Sequence, residues 1–262
     1  MLKKRLIPLL LLQNGLLVRS ESFSIHQVLG NPIHEVERFN QWSVDELIYI
    51  DISQDDACDL RRDDHKIRGL NDPLAILDAV SRTCFMPLTW GGRIRSVAEM
   101  RERISRGADK ITLNSAAVKT PDLITQGAQV FGSQAIVVSI DSRRHADGTR
   151  EVFIDGGRTA TGWKPDAWAR EAQRLGAGEI LLQSIERDGT GEGYDLELIA
   201  AVAATTSIPV IACSGVGRYE HYVDGIRAGA SAVAAANIWH FKELSDRGGK
   251  RALAKGGIDI RQ

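Results

Sequence analysis

Met86–Lys110, MPLTWGGRIRSVAEMRERISRGADK, recurs as Ile208–Ala232, IPVIACSGVGRYEHYVDGIRAGASA. Each copy opens on a short apolar run, passes through a glycine-containing loop, continues with the apolar spacing of a helix and ends where the next apolar run begins. That order is a β-strand, a loop, a helix and a second strand, the unit of a parallel sheet rather than of hairpins. Self-similarity at long range constrains the fold more than any single element does. It extends outward in both directions: RLIPLLLLQNG (Arg5–Gly15) resembles QAIVVSIDSRR (Gln134–Arg144), VDELIYIDI (Val44–Ile52) resembles AGEILLQSI (Ala177–Ile185), and NSAAV (Asn114–Val118) falls opposite AANIW (Ala235–Trp239).

Two halves of four βα units each follow, so the expected fold is an α/β (β/α)8 TIM barrel built from two half-barrel repeats, with residues 1–262 as one domain. Strands are expected near Leu6–Leu12, Glu46–Ile52, Met86–Trp90, Lys110–Leu113, Ala135–Ile140, Ile180–Ser184, Pro209–Ala212 and Ala232–Ala235. Asn31-Pro32, Asp72-Pro73, Thr120-Pro121 and Lys164-Pro165 mark helix starts, where proline's missing N–H is not needed. One insertion breaks the repeat: SRRHADGTREVFIDGGRTATGWK, Ser142–Lys164, whose Asp147-Gly148 and Asp155-Gly156-Gly157 predict hairpin turns after the fifth strand.

Composition excludes several classes. The 262 residues carry 33 basic and 34 acidic side chains, which gives no net field for nucleic acid or an anionic membrane. Trp42, Trp90, Trp163, Trp168 and Trp239 are scattered rather than striped, so base stacking is not indicated. MLKKRLIPLLLL has a basic start and an apolar run, yet the run breaks at Gln13-Asn14-Gly15 without a small-residue cleavage pattern and reads as a buried strand. No segment has the apolar length of a membrane span. Cys58, Cys84 and Cys213 form no CxxC pair and are odd in number, which points to reduced thiols in a cytoplasmic protein. His26, His34, His65, His145, His221 and His240 lack metal-ligand spacing, so no metal and no cofactor are expected.

Chemistry in such a barrel sits at the carboxyl ends of the strands. Glycines cluster there after strands three, six and seven: Gly91-Gly92, Gly189 within Asp188–Gly191, and Gly215 within Ser214–Gly217. Each loop admits two readings, a tight turn or a backbone cradle for phosphate. Their occurrence at related places in both halves favours one phosphate site per half, completed by Asn114 and by Ala236 and Asn237 after strands four and eight. Superposing the halves puts Asp141, at the end of strand five, opposite Leu11, at the end of strand one. A proton-shuttling reaction would want an acid and a base there, and leucine is neither. At the amino ends stand Arg5, Glu46, Lys110 and Glu179, two of each sign. These charges fit either solvated surface or a closed ring.

MLKKRLIP, DELIYIDI, RGADKITLNSAAV, FGSQAIVVSID, GAGEILLQSIERDGT and IWHF together resemble the cyclase subunit of imidazole glycerol phosphate synthase along nearly the whole chain. The resemblance implies a barrel that receives ammonia from a glutaminase docked on its amino face. It implies that Arg5, Glu46, Lys110 and Glu179 form the ammonia gate, that Asp109 contacts the glutaminase, and that the catalytic pair falls on Leu11 and Asp141. Here the pattern departs: Leu11 has replaced one member, Asn14 stands for aspartate, Arg19 for a substrate-loop lysine, Arg93 for the third glycine after strand three, and Cys213-Ser214 for Ser-Gly.

An intact gate beside a half-lost catalytic pair resembles the branch of that family associated with acetamidino modification of bacterial surface sugars. The resemblance implies an ammonia-channelling subunit that pairs with a glutaminase and supplies an ATP-dependent sugar amidotransferase, with a phosphate-bearing small molecule as a further ligand. The alternative is the cyclase subunit of histidine biosynthesis.

Overall fold

The computed structural model describes residues 3–42, 44–54, 72–241 and 245–261. Cys58 and His65 lie outside the described residues. Eight strands close a parallel barrel: β1 (Arg5–Gln13), β4 (Leu47–Asp51), β5 (Leu88–Gly91), β6 (Lys110–Leu113), β7 (Ile136–Arg144), β10 (Glu179–Ser184), β11 (Val210–Cys213) and β12 (Ala232–Ala235). They pair in that order and β12 returns to β1, every pairing being parallel. The remaining strands are antiparallel extensions. β2 (Leu16–Glu21) folds back on β1 and pairs with β3 (Ile25–Gly30), while β8 (Arg150–Ile154) folds back on β7 and pairs with β9 (Thr159–Ala160).

The insertion after the fifth barrel strand is therefore not a single break in the repeat, as the sequence led us to expect. The first half carries its own extension at the matching place, with a turn at Ser22 and Phe23, both at positive φ (51° and 58°). Its first turn, between β1 and β2, is Asn14-Gly15 (φ 52° and 82°), a hairpin signal of the same kind as Asp147-Gly148 but read in the sequence only as the end of the first strand; its second turn, at Ser22 and Phe23, has no glycine.

Helices cover the outside. α1 (Pro32–Gln41) and α2 (Pro73–Thr83) begin as the prolines predict, each with a side-chain cap: Asn31 accepts from the Ile33 N–H and Asp72 from the Leu74 N–H. α3 (Val97–Ser105) is capped by Ser96, and α4 (Ser115–Lys119), α5 (Asp122–Phe131), α6 (Pro165–Leu175), α7 (Leu196–Ala203), α8 (Glu220–Arg227), α9 (Ile238–Phe241) and α10 (Ser245–Lys255) follow. Side chains on a barrel strand alternate between helices and lumen. On β1, Leu6, Leu10 and Leu12 join the large core beneath the helices, whereas Ile7 and Leu9 join a second, inner cluster with Ile48, Val137, Leu181, Ile211, Cys213, Ala232 and Ala234. Arg5 and Leu11 share the inner parity. Among the described residues no helix is long and apolar enough to cross a membrane.

Candidate functional site

The lumen has two ends of different character. At the amino end, Arg5 from β1 bonds Glu46 at 2.6 Å and Glu179 at 2.5 Å, while Lys110 from β6 bonds Glu46 at 3.1 Å and Glu179 at 2.8 Å. Each cation touches both carboxylates and each carboxylate both cations, so the four side chains form a closed ring. All are largely buried, which is tolerable for charges only when every one is paired. Burial pushes the Arg5 guanidinium down, but the charges of Glu179 and Glu46 outweigh it and hold the net value above that of free arginine. Of the two readings open for these charges in the sequence, the structure brings them together.

Asp109 stands beside the ring on the amino face. Its carboxylate accepts from the Leu88 N–H at 2.8 Å and its own N–H donates to the Leu88 carbonyl at 2.8 Å. Asp45 does the same for Leu6 on the neighbouring part of the rim, and Lys250 pairs with its other oxygen at 3.0 Å.

At the carboxyl end the strands open into a cavity of about 660 Å³. Asp141 and Leu11 both line it, four strands apart around the barrel and so on opposite walls. Asp141 is 6% exposed and accepts from Gln183 Nε2 at 3.0 Å and Ser139 Oγ at 3.3 Å. Burial raises its pKa, those two hydrogen bonds oppose the rise, and the negative charge of Asp188 adds to it; the result is about 7. Such a carboxyl exchanges a proton near neutrality, as a general acid or base must. Leu11 offers the other wall no proton.

Three further carboxylates line the cavity that the sequence did not single out as chemical groups, Asp51, Asp155 and Asp188. Burial raises Asp51 against hydrogen bonds from Ser53 and the nearby charges of Arg93 and Arg103. Asp188 is raised by burial too, and accepts from Ser20 Oγ at 2.6 Å and the Phe23 N–H at 3.2 Å, which ties the tip of the β2–β3 extension to the cavity mouth. His26, across from it, is lowered by burial although the charge of Asp188 opposes this. Gln183 was also missed. It occupies the strand-six place that Ile50 occupies on strand two, a difference between the halves that period-two counting from Glu179 would have exposed.

The glycine loops show how the two halves diverged. Pairing Met86–Lys110 with Ile208–Ala232 puts Gly92 opposite Ser214 and Arg93 opposite Gly215. All four have left-handed backbone, with φ of 92° and 57° in the first half and 79° and 90° in the second. Each half has kept glycine at one of the two positions, and not at the same one. Where glycine remains, space also requires it: a Cβ on Gly92 would lie 2.0 Å from the Asp51 carbonyl oxygen, and one on Gly215 2.3 Å from that of Gly193. Gly189, Asn114, Ala236 and Asn237 line the same cavity. Gly91 does not; it ends β5 with no room for a side chain against Thr112. The Asn114 amide donates to the Ser139 carbonyl at 3.1 Å and the Asn237 amide to that of Ser20 at 2.9 Å, so these side chains brace the loops that precede α4 and α9. Among the described residues no cluster of three or more His, Cys, Asp or Glu is arranged to hold a metal.

The sequence profile described as histidine biosynthesis protein matches residues 5–245 of this chain. The chain belongs to the histidine biosynthesis protein family. Over all of its length it is 42% identical to the imidazole glycerol phosphate synthase subunit HisF of Gluconacetobacter diazotrophicus, of which the alignment covers 97%. A HisF-like barrel of the histidine biosynthesis protein family thus carries the ring, and its carboxyl-face cavity has leucine opposite Asp141.

Proposed function

We propose that this chain is an ammonia-channelling barrel subunit that pairs with a glutaminase and delivers ammonia to an ATP-dependent sugar amidotransferase in the biosynthesis of surface polysaccharide. One observation carries the reading: the ring of Arg5, Glu46, Lys110 and Glu179 is complete while the carboxylate at Asp141 faces Leu11. Losing a general acid or base costs about 10²–10⁴ in rate, whereas a conduit needs neither. In this reading the glutaminase docks on the amino face at Asp109, the ring is the gate, and ammonia leaves through the cavity. The amidotransferase transfers a phosphoryl or adenylyl group from ATP to the oxygen of a sugar acetamido group, ammonia adds to that carbon, and the oxygen leaves with the phosphate or AMP to give an acetamidino group.

The loops at Gly92, Asn114, Gly189, Gly215, Ala236 and Asn237 keep the shape of phosphate cradles in this proposal, with Gly91 supplying close packing beneath them. Arg93 enters the first cradle and changes which phosphate-bearing molecule it accepts. The reading is tested by mixing the chain with its glutaminase and measuring glutamine hydrolysis and complex formation. Stimulated hydrolysis in a stable complex is expected; no binding and no stimulation would overturn the reading.

The second reading is a working cyclase subunit in histidine biosynthesis, and one observation favours it: Asp141 still titrates near neutrality. Ammonia-dependent turnover of the imidazole glycerol phosphate precursor by the purified barrel, beside an ordinary cyclase subunit, separates the two. Turnover supports the cyclase, and none leaves delivery to another enzyme.

A further inference from the structure

The inner wall above the ring is apolar on most sides, formed by Ile7, Ile48, Val137, Leu181, Ile211 and Ala232. Thr112 interrupts this collar. It lies two residues beyond Lys110 on β6, has the same parity as the ring lysine, and lines the floor of the cavity. It is 4% exposed, and its hydroxyl has no hydrogen-bond partner among the described residues. A buried hydroxyl left without a partner is costly, and buried polar groups in folded proteins are almost always satisfied by protein, by ordered water or by another small molecule in its place. Beyond it, polar groups continue up one wall: the β6–β7 register sets Thr112 beside Val137, Ser139 follows on β7, and Gln183 bridges Ser139 and Asp141. On the opposite wall Leu9, Leu11, Ile50 and Cys213 line the cavity, with Ala236 beyond them.

We infer that the Thr112 hydroxyl is a binding stop for a small neutral hydrogen-bonding molecule, ammonia in the reading above, between the charged ring and Asp141. The inference rests on that reading for the identity of the ligand. A hydroxyl both donates and accepts, so it holds ammonia by its lone pair or by its N–H without a charge that would trap ammonium. Lys110 and Thr112 are about 7 Å apart along the strand, one step for a molecule of this size. From Thr112 the hydroxyl of Ser139 and the amide of Gln183 continue the path to the mouth.

The test uses Thr112→Val, which keeps the shape and removes the hydroxyl, and Thr112→Ser, which keeps the hydroxyl. The barrel, its glutaminase and the acceptor enzyme are supplied with amide-¹⁵N glutamine in unlabelled ammonium buffer, and the label in the amidino product is read by mass spectrometry. Thr112→Val is expected to lower the labelled fraction at least threefold with glutamine hydrolysis unchanged, and Thr112→Ser to restore it. An unchanged fraction in Thr112→Val, while Glu46→Gln in the same assay lowers it, would overturn the stop and leave the conduit standing.

If the parent protein delivers no label, the conduit itself fails, and a crystal structure of the barrel in ammonium buffer then decides on the binding site. A polar molecule within hydrogen-bond distance of Thr112 Oγ1, absent from Thr112→Val, supports it; a dry hydroxyl refutes it. Thermal stability supplies a control: Thr112→Val is expected to melt no lower than the parent, because it removes a buried group without a partner.

Discussion

Replacing Asp141 by asparagine should stabilise the protein, and only above a definite pH. In the folded state its carboxyl titrates at about 7, against 3.8 for a free aspartate, because burial disfavours the charged form. Between those two values the folded state holds a proton that the unfolded chain releases, so stability falls as pH rises through this window and is level on either side of it. The difference of about three pKa units corresponds to roughly 4 kcal/mol lost at pH 8. Asparagine keeps an oxygen for the bond from Gln183 and carries no charge, so it escapes that loss. For a chain of this length the unfolding entropy is about 0.55 kcal/mol/K, which turns 4 kcal/mol into a rise in Tm of about 7 °C. The measurement is the difference between variant and parent by calorimetry from pH 4 to pH 8.5, in which all other titrations cancel. It should be near zero at pH 4, grow through pH 5 to 7, and then level off. A difference that is flat with pH, or one that falls, would refute the reasoning about Asp141.

Glu46→Gln should cost about 3 kcal/mol, the lower part of the range for breaking a buried ion pair, since both cations keep Glu179; calorimetry should show Tm lower by about 5 °C. Ser214→Gly should stabilise by about 1 kcal/mol by relieving a left-handed serine, whereas Gly215→Ala should destabilise by more than that because its methyl meets the Gly193 carbonyl; urea titration of the pair checks both. Leu11→Asp puts a second carboxyl into the cavity that holds Asp141, so the pH at which stability begins to fall and that at which it levels off should move apart, read from the same pH series.

Most of the architecture was legible because the barrel repeats itself: Lys110–Leu113 and Ala232–Ala235 were bounded as they stand in the structure, and the prolines after Asn31, Asp72 and Lys164 fall at first helical turns. The β2–β3 extension was overlooked although Asn14-Gly15 marks its first turn, because Gln13-Asn14-Gly15 was read only as the end of the first strand and the second turn rests on Ser22 and Phe23 rather than on glycine. In the site, the charges alone left solvated surface and a closed ring both open, and the resemblance implied the ring, because Glu46 and Glu179 meet Arg5 across the lumen and not along any local motif. Asp188 was hidden for a related reason. Its partners, Ser20 and Phe23, belong to that overlooked extension.

The left-handed pairs in the two glycine loops also bear on how such a molecule changes over generations. Because the fold is written twice, the same turn can be compared in two settings: the first half has glycine where the second has serine, the second has glycine where the first has arginine, and the left-handed turn stands in both. Leu11 and Asp141 differ between the halves in the same way, on opposite walls of one cavity. A duplicated architecture thus tolerates a change of residue in one half while the other half shows that the backbone turn itself needs no single fixed sequence.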